Sequence, residues 1–125
     1  MDVRLLLPGD SDSELAMAVQ HSHYADLLEA GVKIYENHDE VLHTKMIVVD
    51  GVWSVVGSSN FDQRSVLFND EVDAVIVGSN TAQELGRMFE DDLAKATPID
   101  RAAWQDRPLS QRMKDMVARF WQSLL

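Results

Sequence analysis

The chain has 125 residues and a formal net charge of −10, from 11 basic and 21 acidic side chains; 46% are hydrophobic and 26% charged. That is the length and composition of one globular domain with a sizeable core, not of a disordered chain. Zero cysteines exclude disulfides and thiolate chemistry, the longest apolar runs fall far short of the ~20 residues that span a bilayer, and the acidic balance argues against a nucleic-acid partner.

In chain order, residues 2–7 predict a strand, turned by Pro8-Gly9-Asp10. Ser11 and Glu14 stand at capping-box spacing, so a helix is expected to start near Ser11 or Asp12. Leu15, Val19, Tyr24, Leu27 and Leu28 form its apolar stripe, and Gly31 falls where a left-handed stop is wanted. Residues 32–35 are the next strand, so strand–helix–strand predicts a parallel pair. His21 and His23, two apart on a helix, point to different sides and are expected not to chelate one ion.

Residues 46–49 and 52–56 flank Asp50-Gly51, a strong hairpin signal. A strand over 70–77 and a helix over 81–96, with Leu85, Met88, Phe89 and Leu93 on one side, follow; Thr97-Pro98 ends the helix. The last helix has Leu109, Met113, Met116, Val117, Phe120 and Leu124 at helical spacing. Met113, Met116, Phe120 and Trp121 are expected to pack into the core, as is Trp53 of the hairpin. The elements add up to an α/β class with a mixed β-sheet flanked by helices. The charge is uneven: residues 1–100 carry 6 basic and 19 acidic side chains (−13), and 101–125 carry 5 and 2 (+3). A basic last helix could simply be a solvated face, or could touch an anionic surface.

The informative residues are His43, Lys45, Asp50, Gly57, Ser58, Asn60 and Glu71. With Asp50-Gly51 as a two-residue turn, paired numbers sum to 101, so Lys45 faces Val56 and His43 faces Ser58. Paired residues share a sheet face, which would gather an imidazole, an ammonium, a hydroxyl and the Asn60 amide at one sheet end. That set suits a phosphoryl group. Lys45 supplies charge, Ser58 and Asn60 are neutral donors, and a largely neutral His43 is a nucleophile. Glu71 is placed to orient His43, as a carboxylate orients the base of a triad.

His43-x-Lys45, then Asp50, then Gly57-Ser58-x-Asn60 resembles the HKD motif of the phospholipase D superfamily, most nearly in the C-terminal half of bacterial cardiolipin synthases. Residues 24–35 and the run Asn60-Phe61-Asp62-x-Arg64-Ser65 are similar to that group too. The resemblance implies one half-domain over residues 1–125, with an α/β core over 1–100, the motif at 43–60 and an amphipathic helix over 101–125. It implies His43 as nucleophile or general acid, Lys45, Ser58 and Asn60 as phosphate-binding groups, and Glu71 as orienter. Asp50 belongs to the motif but sits at the turn, where a structural role is expected.

By the same resemblance the activity would be phosphatidyl transfer from phosphatidylglycerol through a phosphohistidine, without metal or cofactor. The alternatives are a phospholipase D or nuclease of the superfamily, and a non-catalytic half-domain that binds headgroups or a partner. Such proteins pair two motifs, so a second half-domain in cis or in a homodimer is expected, and the single motif here reads as a C-terminal fragment. The full-length protein would be bacterial and membrane-associated; this chain, which has no transmembrane segment, would be soluble.

Overall fold

A computed structural model describes residues 1–39, 42, 44–58 and 70–124. They form two compact units, Met1–Leu42 with Lys95–Leu125, and His43–Ala94. The α/β class holds in both.

In the first unit β1 (Arg4–Pro8) runs parallel to β2 (Lys33–Asn37), Leu5 against Ile34 and Leu7 against Glu36. A short strand, β6 (Thr97–Pro98), pairs antiparallel to the other side of β2. Asp2 clips the two parallel strands together, accepting from Arg4 Nε and Lys33 Nζ at 2.9 Å each; those hydrogen bonds hold its carboxyl down to about 2.

The connecting helix starts later than the capping-box reading predicts. Ser13 is the N-cap, its Oγ accepting from Ala16 N at 3.2 Å, because the Ser11 hydroxyl accepts instead from Ser13 N. The helix is also broken into α1 (Glu14–Ser22) and α2 (Tyr24–Glu29) at His23, a turn residue at the margin of the right-handed region, with φ −92° and ψ −12°. The Gly31 stop is as expected. At φ +89° it closes a paired cap in which Gly31 N bonds Leu28 O and Val32 N bonds Leu27 O.

Tyr24, Leu28 and Ile34 form the buried core of this unit, flanked by Leu7, Leu27, Val32, Ile99 and Trp104. Full burial of a side chain such as Ile34 is worth about 1.5–3 kcal/mol. Helix α4 (Arg101–Gln105) is capped by Asp100, and the last helix, α5 (Leu109–Leu124), lies against α1. Here the structure corrects the sequence reading. Met113, Met116, Phe120 and Trp121 are 57%, 69%, 65% and 55% exposed. The reason is that α5 docks through its polar back: Asp115 is buried in an ion pair with Arg107 (2.6 Å), and the small Ala118 is buried beside it.

The second unit is an antiparallel sheet of β3 (Lys45–Val49), β4 (Trp53–Gly57) and β5 (Asp73–Val77), with β4 central, followed by α3 (Ser79–Lys95). Its even face carries the fully buried Ser54 beside Val48 and Ile76, and α3 buries Ala82. The odd face leaves Ile47, Val49, Trp53, Val75 and Val77 at least two-fifths exposed, so Trp53 is not the core residue expected. Among the described residues no helix is long and apolar enough to cross a membrane.

Candidate functional site

The hairpin corner sets the geometry. Asp50 (φ +54°) and Gly51 (φ +65°) form the primed turn that Asp-Gly favours, closed by Val52 N to Val49 O at 3.1 Å. Val52, however, does not pair with Val49. Its carbonyl turns outward to accept from Gly78 N at 2.8 Å, making Val52 an extra residue in the β4 arm. The observed pairs therefore run Val49 to Trp53, Met46 to Val56 and Lys45 to Gly57, summing to 102. The expected pairing of Lys45 with Val56 is wrong by one residue, and a one-residue shift exchanges faces.

Lys45, Gly57 and Asp73 thus form one cross-strand row. Gly57 has a reason to lack a side chain: a Cβ there would collide with the Asp73 carboxylate and lie 2.6 Å from Val72 O. Beyond it, Ser58 continues the ladder, its N bonded to Val72 O at 3.1 Å. The Ser58 hydroxyl donates to Glu71 Oε2 at 2.5 Å and accepts from Val72 N at 3.0 Å. A hydroxyl–carboxylate bond this short is of the charge-assisted kind.

The structure thus brings Ser58 and Glu71 into contact at the open end of the hairpin, one residue beyond the Lys45 row, so Ser58 does not share the Lys45 face as expected. Asp50 is exposed at the opposite end, in the corner. His43 and Asn60, the expected nucleophile and second donor, lie outside the described residues, as does the expected pairing of His43 with Ser58.

A second polar cluster, in the first unit, escaped the sequence reading. Glu36, 6% exposed, receives Tyr24 OH at 2.8 Å, and His21 Nε2 lies 2.9 Å from the same oxygen; His38 Nε2 is 3.4 Å from the other. Gln20 Nε2 ties the Tyr24 oxygen (2.7 Å) to Pro8 O (2.8 Å), and His38 Nδ1 reaches Asp10 at 3.1 Å. Burial pushes the Glu36 carboxyl up, but the hydrogen bonds of His21 and Tyr24 and the His21 and His38 charges outweigh it, and the net shift is downward. Burial, with Glu36 beside it, pushes the Tyr24 phenol up. His21 and Trp104 line a cavity of about 380 Å³ next to the cluster. The only sequence signal was the strand alternation, which set Glu36 on the same face as Ile34. His21 turns to Glu36 while His23 reaches Gln122 at 3.4 Å, so the two histidines do diverge.

The described residues are α/β in class, and the sequence places Lys45, the last residue of His43-x-Lys45, at the start of β3. A family described as the cardiolipin synthase PLD-like domain matches residues 1–93, and the chain belongs to that family. Cardiolipin synthase of Geobacillus sp. (strain WCH70) is 40% identical over all 125 residues, which cover 25% of that protein. Cardiolipin synthase A of Serratia proteamaculans (strain 568) and of Klebsiella pneumoniae are each 36% identical over the whole chain and 26% of theirs. The chain therefore spans about a quarter of the length of the curated relatives it matches. No solved structure matches it.

Proposed function

We propose that this chain supplies one half of a phosphatidyltransferase site of the cardiolipin synthase type, with phosphatidylglycerol as substrate and His43 as nucleophile. The imidazole nitrogen attacks phosphorus, the phosphorus–oxygen bond to glycerol breaks, and the departing oxygen takes a proton from an acid on a second half-domain. The hydroxyl of another phosphatidylglycerol then attacks phosphorus, losing its proton as the phosphorus–nitrogen bond breaks, and cardiolipin leaves. Lys45 offsets the phosphate charge and Asn60 donates to its oxygens.

The observation that supports this reading is the Ser58–Glu71 contact beside the Lys45 row. Glu71 Oε2 is occupied by Ser58, while Oε1 has no hydrogen-bond partner among the described residues, which leaves it for an imidazole N–H. Ser58 spends its proton on Glu71 and must turn that hydroxyl over when phosphate arrives. The same residues serve a hydrolase if water replaces the second lipid.

General acid help is worth roughly 10²–10⁴-fold, so the chain is best tested with a substrate that dispenses with it. A soluble short-chain p-nitrophenyl ester of phosphatidic acid has a leaving group that departs unprotonated. One equivalent of p-nitrophenol per chain is expected, with a phosphatidyl adduct on His43 by mass spectrometry. His43→Ala should abolish both. An adduct elsewhere, or a burst that survives His43→Ala, would overturn the assignment.

A further inference from the structure

Helix α5 is turned inside out. Its back, with Asp115 and Ala118 at 6% and 4% exposure, faces the protein. Arg107 clamps Asp115 and lies 3.6 Å over the Trp104 ring, which fixes the helix in this rotation. At 100° per residue, Leu109, Met113, Met116, Val117, Phe120 and Leu124 gather on the opposite side. Each of the six is between 57% and 69% exposed.

Basic side chains border this apolar front. Arg112 and Arg119 stand along one edge and Lys114 along the other, by the same helical angles. Arg119 bonds Asp26 at 2.9 Å, and Lys114 reaches Glu14 only at 3.9 Å; all four of these side chains are at least half exposed. Trp121 continues the apolar surface into a groove of about 790 Å³ shared with Leu15 and Ala18 of α1. A polar back fixed to protein, an apolar front with aromatic rings, and long cationic side chains along its borders are what a helix lying in a bilayer interface requires. Lys and Arg stems lie along such a surface while their charges stay at the headgroups.

We propose that the front of α5 is a membrane-docking surface that inserts into the headgroup–acyl boundary of an anionic bilayer. Charge selects this occupant. Residues 101–125 carry +3 while the rest of the chain carries −13, so the net positive charge of the sequence lies in the segment that bears this front, the segment an anionic surface attracts. A second copy of the chain suits it less, because two fronts packed about a two-fold axis would bring like-charged Arg112 and Lys114 borders together. The inference deepens the proposed function and rests on it only for the choice of phosphatidylglycerol as the anionic lipid.

The chain has no cysteine, so Met116→Cys carries a single polarity-sensitive dye. With vesicles of phosphatidylglycerol and phosphatidylcholine in equal parts, the full chain should co-sediment and the dye emission should shift to the blue. Both effects should be tenfold or more weaker on phosphatidylcholine alone. Phe120→Glu should lower partitioning at least tenfold, and Arg112→Glu several-fold with a weaker dependence on salt. Both positions are exposed, and circular dichroism confirms the fold of each variant. Absence of partitioning, equal binding by Phe120→Glu, or tighter binding to the uncharged vesicles would overturn the proposal. So would a blue shift that grows with protein concentration without vesicles, which would assign the front to a second copy. The ester burst is read without vesicles, so that either idea fails without the other.

Discussion

Two carboxylates in this protein each accept a hydroxyl, and they behave as opposites. Glu36, itself buried, receives the buried Tyr24, with half-buried His21 and Gln20 and exposed His38 around it. Glu71 receives Ser58 at the open end of a hairpin, with no second side-chain partner among the described residues. The first bond is over-determined by its neighbours and closes off the core end of β2. The second lies at an exposed rim. An identical pairing of chemical groups is enclosed in one place and open to solvent in the other, and only the open one suits the role proposed for Glu71.

The largest expected effect tests that contrast directly. Glu36→Ala leaves a buried phenol and a half-buried imidazole without their acceptor and should cost about 3 kcal/mol in a denaturant melt. Glu71→Ala should cost less than about 0.5 kcal/mol yet slow adduct formation on His43 by about 10²-fold. Comparable losses of stability from the two would dissolve the distinction. Next in size is Gly57→Ala, which drives a methyl against the Asp73 carboxylate and the Val72 carbonyl. Overpacking of this kind costs about 1–3 kcal/mol, and hydrogen exchange should show the loss concentrated in β4 and β5. Uniform loss across both units would mean that the hairpin end is not locally set.

How much of this was legible in sequence follows the range of each signal. Gly31 as a helix stop and Asp50-Gly51 as a corner were readable because each depends on a few neighbouring residues, and the parallel β1–β2 pair because a strand–helix–strand order admits one crossover. The one-residue error in the hairpin came from Val52, whose carbonyl is drawn out by Gly78, a partner 26 residues away just past the end of β5. The apolar stripes of α3 and α5 have the same period. Yet Leu85, Phe89 and Leu93 are half-buried while Met116 and Phe120 are exposed. Period fixes which residues share a face; it says nothing of whether that face meets protein or something else. For α5 the Arg107–Asp115 pair, invisible to periodicity, made the choice. Likewise Glu36 fell just past the strand expected over 32–35 and drew no notice, since its partners His21 and Tyr24 lie 15 and 12 residues away.

Acid provides the finest test of the two-carboxylate contrast. The Glu36 carboxyl sits below its ordinary value of 4.5 in the folded chain, so its charge stabilises the fold fully above that pH. The contribution declines as pH falls through 4.5 and is spent once the folded-state value is passed. His21, His38 and Tyr24 face this carboxylate and Asp10 faces His38, so the reference must remove only the titrating group, as Glu36→Gln does. The melting temperature of the parent chain should exceed that of Glu36→Gln at pH 7, and the gap should narrow steadily on acidification below pH 4.5. A gap for Glu36→Gln that stays constant into acid would mean the carboxyl enters the fold already protonated, and that the buried cluster owes its cohesion to shape and neutral hydrogen bonds.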